Sequence, residues 1–278
     1  MSERGLGLYD LGMATLNDVT AFLQQIAPLH LAADWDAVGL LVGSRRESCE
    51  RVMTCLTLTP DVAAEAAHEA ADLVVTHHPL PFRPVARLTD DTPAGASLLT
   101  LLSAGIAVWS SHTAWDSASG GINDQLAVML SLTNVRPILP DADTPTAGTG
   151  RMGTAEPNLS VEDLALRLTA ALGANGAQIA GDRSQPAGTV GIVCGSGGDM
   201  LSDLITAGCT TLVTGEVRLH TAAEAAAAGL AVIAVGHHAS ERFSMDRLAD
   251  LLTARLPGVT AWASRLETDP LTWVATKH

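Results

Sequence analysis

Lysine is almost missing from this sequence: Lys277 is the only one in 278 residues. Chemistry that needs a lysine amine, as a Schiff-base nucleophile or as the phosphate ligand of a glycine-rich loop, is therefore excluded for the body of the chain. Arginine does not compensate for the missing positive charge, because the chain has 16 basic and 30 acidic residues and a formal net charge of −14. Nucleic-acid surfaces need clustered Arg and Lys to displace counterions, so we expect no nucleic-acid partner.

Long apolar runs and closely spaced cysteines are missing as well. No apolar stretch has the length of a bilayer span, and the chain does not open with a charged segment followed by an apolar one. We therefore expect no signal peptide, no membrane partner and a cytoplasmic location. The cysteines that we expect to be reduced and mostly buried are Cys49, Cys55, Cys194 and Cys209. With 47% apolar and 17% charged residues, the composition predicts a folded globular protein.

A strand, a helix and a second strand follow one another twice along the chain. Residues 51–59 have the pattern of a strand, residues 60–71 that of a helix and residues 73–76 that of a buried strand. This order predicts a βαβ unit and hence a parallel sheet. A second unit of this kind lies 138 positions later in the chain, where Val190 aligns with Val52. The two units align without a gap.

The similarity continues beyond the two units. In each half, a further strand is followed by a histidine and, four positions later, by an acid: His112 with Asp116, and His237 with Glu241. The shared order of these pieces favours an internal duplication. The fold class is therefore predicted as α/β, with two similar lobes that face each other across a cleft.

The boundaries of these lobes follow from where the copies begin and end. We expect the first lobe to comprise residues 1–132 and 238–278, and the second, inserted lobe to comprise residues 133–237. Further elements are predicted with these bounds: a helix over residues 16–29 capped by Asn17, a loop over residues 140–158 around one short strand, a helix from Ser160 to Leu172 stopped by Gly173, and a closing helix over residues 245–256.

Two adjacent histidines, His77 and His78, end the first buried strand. Neighbouring side chains inside a strand point to opposite faces, but Pro79 ends the ladder here and relaxes that constraint. From these two residues alone, hydrogen bonds that cap the sheet and metal binding are equally good interpretations.

Imidazoles and carboxylates gather at the predicted ends of several strands, the edge at which open α/β sheets bind ligands. Together they suit Zn, Mn, Fe or Co. If a helix begins at His237, then His237 and Glu241 lie one turn apart and can bind one ion. Five such ligands are too many for one catalytic zinc but a natural set for two divalent metal ions per chain. The five are His77, His78, Asp116, His237 and Glu241.

Six segments follow one another in the chain: AADWDAVGLLVG, DLVVTHHPLPF, SSHTAWDSASGGIND, TGEVRLH, GHHASE and DPLTWV. In this order they resemble the Nif-three-like family, whose bacterial members are often labelled GTP cyclohydrolase type 2 homologues. The resemblance implies two related α/β domains, a dinuclear metal site in the cleft and assembly into a ring-like homohexamer. It implies the same five ligands.

Three positions depart from the family pattern. Ala37 stands where asparagine is usual after Trp-Asp, Trp115 precedes Asp116 where leucine is common, and His238 replaces an aromatic residue. None of these changes removes a ligand. His238 does, however, leave two adjacent imidazoles as candidates for the position assigned to His237.

Other polar residues are weighed against structural roles. His112 is predicted as the catalytic residue, a proton shuttle beside Asp116, with a structural hydrogen bond as the alternative. Glu216 and His220 follow a strand and are expected near the site. The glycine-rich loop over residues 195–198 is expected to be a tight turn and not a phosphate site. The histidines without a motif, expected at the surface, are His30, His68 and His278.

These residues predict a metal-dependent hydrolase of a small molecule, in which two ions lower the pKa of a water to about neutrality. The resemblance implies attack on a purine ring carbon of GTP, and the same centre fits phosphoester or amide hydrolysis. A triphosphate would need positive charge, which the ions and three arginines could supply: Arg83, Arg218 and Arg242. The alternative is a non-enzymatic metal-binding protein with a regulatory or scaffold role. A pure interaction scaffold without metal is a third interpretation, and it is disfavoured because gathering such residues without cations would be costly.

Overall fold

The computed structural model describes residues 13–43 and 47–274 of the chain. In chain order, its helices are α1 (Leu16–Ile26), α2 (Pro60–His68), α3 (Pro93–Ala104), α4 (His112–Ser117), α5 (Ile122–Met129), α6 (Val161–Leu172), α7 (Leu201–Thr206), α8 (Leu219–Ala227) and α9 (His237–Arg255). Its strands are β1 (Gly39–Val42), β2 (Arg51–Cys55), β3 (Leu73–Thr76), β4 (Ala107–Ser110), β5 (Thr133–Arg136), β6 (Leu139–Pro140), β7 (Gly148–Thr149), β8 (Arg151–Thr154), β9 (Gln178–Ala180), β10 (Thr189–Ser196), β11 (Thr211–Glu216), β12 (Ala231–Ala234) and β13 (Thr260–Ala263).

Two large sheets carry the two lobes. The first has the order β1-β4-β3-β2-β13, in which only β1 runs antiparallel to its neighbour. The second has the order β5-β8-β10-β11-β12-β9, with β10, β11 and β12 parallel and the outer strands antiparallel. The strands β6 and β7 form a small hairpin sheet of their own.

The predicted duplication is visible in the strand register. In the first sheet Val52 pairs with Leu73, and in the second Val190 pairs with Thr211, which are the positions that the sequence alignment equates. Each sheet also places an antiparallel strand beyond its third parallel strand. The prediction of two similar α/β lobes is therefore confirmed.

The strands divide between the sheets without mixing. The first sheet takes its strands from residues 39–110 and 260–263, and the second from residues 133–234. Helix α9 contacts strands of both sheets. One continuous apolar core also spans both lobes, since Val75 and Trp109 belong to the same buried cluster as Ile192 and Val213. The predicted lobe boundaries themselves stay a prediction.

Two predictions about where helices begin are wrong. Helix α1 is capped by Thr15 and not by Asn17, because Thr15 accepts a hydrogen bond from the backbone of Asp18 while the Asp18 side chain caps Thr15 in return. The closing helix begins at His237 and not at residue 245. Its first turns bury Ser240 and Glu241 instead of apolar residues, so the apolar pattern does not mark its start.

The stretch predicted as a loop around one short strand contains more regular structure than expected. Strands β7 and β8 both lie within it, and β8 buries Arg151, which no apolar pattern predicts. Helix α6 has the predicted cap at Ser160 and the predicted stop at Gly173. The four cysteines are buried and none of them forms a disulfide, as predicted. Within the described residues, every helix is too short or too polar to traverse a bilayer.

Candidate metal centre

The predicted ligands meet in the cleft between the lobes because each follows the end of a strand. His77 comes directly after β3, and His112 and Asp116 lie in α4, which follows β4. From the second lobe, His237 opens α9 just after β12, and Glu241 lies one helical turn further. Parallel strands end at the same edge of a sheet. The carboxyl edges of the two sheets face each other across this cleft.

Two groups of side chains are compact enough to hold a metal ion. The first is His77, His78 and His112, and the second is His78, His237 and Glu241; within each group the candidate ligand atoms lie within 4.8 Å of one another. Asp116 lies beside the first group, with its Oδ1 3.6 Å from Nε2 of His77. The structure thus brings together all five predicted ligands and His112, while their roles as ligands stay predictions.

The surroundings of His77 indicate whether these residues fit a cation. Its side chain is buried, with 3% of the residue exposed, and neither ring nitrogen has a hydrogen-bond partner. Leaving a buried polar group without a partner costs about 1–3 kcal/mol. Glu241 Oε2 is also buried without a well-directed hydrogen bond, although it lies 3.1 Å from Nε2 of His237. A divalent cation would satisfy these atoms together, so the donor set fits a metal ion.

The protonation states of the two site carboxylates differ. Burial, followed by the charge of Glu241, raises the pKa of Asp116 to about 7. For Glu241, burial also raises the pKa, but contacts with the imidazoles of His237, His78 and His77 outweigh it, and the pKa falls below its usual range. Contact with Glu241 raises the pKa of His237 to about 9. At neutral pH His237 therefore carries a proton whose charge offsets that of Glu241.

His77 differs from His237 in its protonation. Burial holds the pKa of His77 well below its usual value, so this imidazole is neutral. A neutral imidazole with a free nitrogen lone pair is the form that binds a metal ion.

A buried carboxylate orients the predicted catalytic histidine. Asp36, whose side chain is fully buried, lies 2.8 Å from Nδ1 of His112 through its Oδ1. Its other oxygen accepts hydrogen bonds from the backbone and hydroxyl of Thr113, at 3.1 and 2.6 Å. This arrangement leaves Nε2 of His112 free to face the metal candidates. His112 also has a φ of 31°, a strained backbone conformation of the kind that recurs at functional sites.

His237 is held from its other side in the same manner. Glu216, at the end of β11, lies 3.2 Å from Nδ1 of His237 through its Oε1. The sequence predicted Glu216 near the site, and the structure gives it this contact. His237, and not His238, belongs to the compact group. His220, in contrast, is exposed, as are His30 and His68, while His278 lies outside the described residues.

Contacts around Asp116 connect the two lobes. The thiol of Cys194, at the end of β10, lies 3.2 Å from Oδ1 of Asp116 and donates to it. The side chain of Asn123 donates to the backbone oxygen of Asp116 at 3.0 Å and accepts from the backbone of Cys194 at 2.9 Å. Sequence reasoning assigned no role to Asp36, Cys194 or Asn123, because each has a partner more than 70 positions away in the chain.

A glycine allows the second lobe to approach the cluster. At Gly195, where φ is +62°, an added Cβ would lie 2.3 Å from Oε1 of Glu241 and 3.2 Å from Nε2 of His237. The loop that Gly195 begins is a tight 3₁₀ turn over Gly197–Met200, as predicted. The N–H groups of Gly195 and Gly197 donate to the hydroxyls of Ser240 and Thr214, both at 3.0 Å, so they are not directed at a ligand.

An open cavity of about 580 Å³ adjoins the metal candidates and is lined by both lobes. It is large enough for a small molecule. Catalytic metal sites need an exchangeable position beside the protein ligands, whereas structural sites are closed by protein. The cavity therefore favours a site at which a substrate can react.

Comparisons with known proteins agree with this architecture. The model of the family described as Duf34/NIF3 (NGG1p interacting factor 3) matches residues 14–270. The chain is 32% identical over 243 residues to a GTP cyclohydrolase 1 type 2 homolog of Clostridium perfringens, covering 87% of this chain and 92% of that protein. It is 35% identical over 234 residues to the Streptomyces coelicolor protein of the same name, with 82% of each chain covered.

A solved structure shows the same fold. The Bacillus cereus protein related to NIF3 superposes with a TM-score of 0.86 over 94% of this chain and 100% of that one, at 20% identity. At this identity the likeness establishes the fold alone.

Proposed function

This chain belongs to the Duf34/NIF3 family, and from that premise we propose that it is a dinuclear metal-dependent hydrolase of a small molecule. The observation that carries the proposal is His77, a buried imidazole with two unpartnered nitrogens at the centre of a ring of imidazoles and carboxylates. Such a residue is costly in a folded protein unless a cation binds it.

The proposed ligands of the two ions are His77, His78, Asp116, His237 and Glu241. Imidazole and carboxylate donors suit Zn, Mn, Fe or Co. Two such ions would lower the pKa of a water between them to about neutrality and polarise the bond that it attacks. Glu216 and Asp36 would fix the orientation of His237 and His112.

His112 is the proposed acid–base residue. Because Asp36 occupies Nδ1, the nitrogen available for proton transfer is Nε2. This nitrogen can accept a proton from the attacking water and return it to the leaving nitrogen or oxygen. Since His112 also lies in a compact group with His77 and His78, metal binding is a second role open to it.

Two reaction classes are proposed. The names of the relatives, GTP cyclohydrolase 1 type 2 homologs, favour hydrolytic opening of a purine ring. In that reaction the water oxygen forms a bond to a ring carbon, a C–N bond breaks and the proton moves to nitrogen, so no other reactant is needed. Hydrolysis of a nucleotide phosphoester fits the same centre.

The test is hydrolysis by protein loaded separately with Zn, Mn, Fe and Co. Loss of purine absorbance reports ring opening, formate release reports hydrolysis of the resulting formamide by a second water, and phosphate release reports phosphoester cleavage. We expect one of these activities in the wild type, its loss in Glu241→Gln, and its retention in His68→Ala, which replaces an exposed histidine that belongs to neither compact group. Metal-loaded protein that hydrolyses neither GTP, guanosine nor a phosphoester would contradict the proposal.

A further inference from the structure

His78 has a different kind of partner from the two imidazoles that carboxylates orient. Its Nδ1 lies 2.8 Å from the hydroxyl oxygen of Thr57, two residues beyond the end of β2. The corresponding nitrogens of His112 and His237 face carboxylates instead. A hydroxyl accepts a hydrogen bond from a ring N–H without adding negative charge. The partner of His78 is therefore neutral.

The contact with Thr57 fixes which nitrogen of His78 can bind a cation. An imidazole that binds an ion through one nitrogen carries a hydrogen on the other. With the Nδ1 hydrogen donated to Thr57, Nε2 is the nitrogen left for an ion, and it lies 3.3 Å from Oε2 of Glu241. His78 belongs to both compact groups, but one free nitrogen binds only one ion. The hydroxyl of Thr57 therefore affects one of the two proposed ions.

A buried carboxylate from a distant part of the chain holds Thr57. The side chain of Glu267 is 3% exposed and lies 210 positions beyond Thr57. Its Oε1 accepts a hydrogen bond from the backbone of Thr57 at 2.6 Å, and its Oε2 accepts one from the backbone of Leu56 at 2.9 Å. The backbone oxygen of Leu56 in turn accepts from the N–H of His78 at 2.9 Å. The turn that carries Thr57 is thus fixed against both Glu267 and His78.

An arginine connects this carboxylate to helix α9. Arg242 directly follows Glu241, and its Nε lies 2.7 Å from Oε2 of Glu267. Its other nitrogens contact Asp246 at 2.7 Å and the backbone oxygen of Ser264 at 2.8 Å. The sequence suggested Arg242 as positive charge for a triphosphate, but in the structure its guanidinium is engaged within the protein. The pair of Arg242 and Glu267 joins the start of α9 to the turn after β2.

Resting on the proposed metal centre, we propose that Thr57 is a positioning residue of His78, and that Glu267, paired with Arg242, holds Thr57 in place. Thr57 acts through the imidazole and not on the substrate. Removing the hydrogen-bond partner of a metal-binding imidazole lowers metal affinity by about 10–100-fold. The chain therefore places a control of metal affinity outside the set of ligands.

Chelator competition on the zinc-loaded protein tests the role of Thr57. Thr57→Val removes the hydroxyl and keeps the shape of an exposed side chain, so the core is left unchanged. We expect one of the two zinc ions to bind about tenfold more weakly or worse, the other to bind as in the wild type, and Thr57→Ser to restore the affinity. The matched control is Thr100→Val, whose lost hydroxyl contacts only the backbone of Ala96 in α3.

The outcomes separate this proposal from the metal centre itself. Two zinc ions that are held equally tightly by the wild type and by Thr57→Val would overturn the role of Thr57 and leave the metal centre intact. A wild-type protein that holds no zinc would contradict the metal centre first.

The visible absorption of the cobalt-loaded protein gives a readout that a purely structural role would not change. The bands of Co(II) depend on the geometry of its ligands, so they should shift in Thr57→Val and return in Thr57→Ser. Spectra that are identical in the wild type and Thr57→Val would show that the hydroxyl does not orient His78, and they would overturn the proposal.

A double variant tests whether Glu267 acts through Thr57. Glu267→Gln replaces one acceptor oxygen with an NH₂ group, which cannot accept from the backbone of Leu56 or Thr57. We expect it to weaken the same zinc ion, and the double variant with Thr57→Val to lose little more than Thr57→Val alone. Glu162→Gln, in an exposed ion pair with Arg183, should change neither ion. Losses that multiply in the double variant would overturn the role of Glu267.

Discussion

His77 is the residue whose surroundings are hardest to explain without a cation. It is buried, neutral and unpartnered, although Asp116 and Glu241 have oxygens at 3.6 and 3.9 Å from its Nε2. Two neighbouring imidazoles are oriented by contacts of their own: Asp36 contacts His112, and Glu216 contacts His237. The surrounding imidazoles thus have hydrogen-bonding partners, whereas the ring nitrogens of His77 have none. This is the arrangement expected of a metal site.

Gly195 allows a direct test of this packing. Gly195→Ala would place a methyl group 2.3 Å from Oε1 of Glu241, so the carboxylate must move and metal affinity should fall by about tenfold or more. Affinity is measured by competition with a chelator. Gly173→Ala is the matched control, because Gly173 has the same φ of +62° but no atom within 4 Å of the added Cβ. Equal metal affinity in both variants would show that Glu241 is not a ligand.

Metal binding should also depend on pH with a defined sign. Asp116 and His237 have pKa values raised to about 7 and about 9, so both carry protons below those values and a cation must displace them. Affinity should therefore rise between pH 6 and 9, by about tenfold per pH unit for each proton released. Calorimetry in two buffers of different ionisation enthalpy counts these protons. Affinity that is constant over this range would contradict the assignment of both residues.

At the level of secondary structure, the sequence predicts elements well where apolar residues set the pattern. The strand over Leu73–Thr76 has the predicted bounds, and the repeated βαβ unit is present in both lobes. Prediction fails where polar residues are buried. The start of α9 buries Ser240 and Glu241, and β8 buries Arg151, so neither shows the apolar periodicity of its element.

The same limit applies to the site. Strand-end histidines and acids indicate the five ligand candidates from the sequence alone. Their supporting residues are distant in the chain: Asp36 lies 76 positions from His112, and Cys194 lies 78 positions from Asp116. These pairs come together only when the chain folds, and no local sequence pattern predicts their contacts.

Strand β8 ties the lobes together through one buried arginine. Arg151, 1% exposed, donates to the backbone oxygens of Ser117 and Ala118 in the first lobe. It also donates to the carboxylate of Asp124 and to the backbone oxygens of Gly148 and Gly150. This side chain therefore fixes the end of α4, one residue beyond Asp116.

Arg151→Met should be strongly destabilising, because it leaves Asp124 and several buried carbonyls without a partner. We expect the free energy of unfolding to fall by about 3–5 kcal/mol, measured by urea denaturation. Arg183→Met is the control, since Arg183 is exposed and forms only a surface ion pair with Glu162, and it should change stability by less than about 0.5 kcal/mol. A similar stability for the two variants would contradict the role given to Arg151.

For the whole molecule, we propose the homohexamer that the family resemblance implies. Several large apolar side chains are exposed on the described chain, among them Val128, Leu166 and Leu219, and assembly would cover surface of this kind. Light scattering should give a mass about six times that of the chain. A mass equal to one chain at micromolar concentration would contradict the proposal and leave the metal centre unaffected.

The cleft exists only when both lobes fold against each other, since they share one apolar core and helix α9. Every step of the proposed chemistry depends on whether this cleft holds cations. The most direct measurement is therefore elemental analysis of the purified protein by plasma mass spectrometry, for the wild type and for Asp116→Ala. The account predicts about two transition-metal ions per chain in the wild type and fewer in the variant, with circular dichroism unchanged. A wild-type value near zero that incubation with Zn, Mn, Fe or Co does not raise would contradict it.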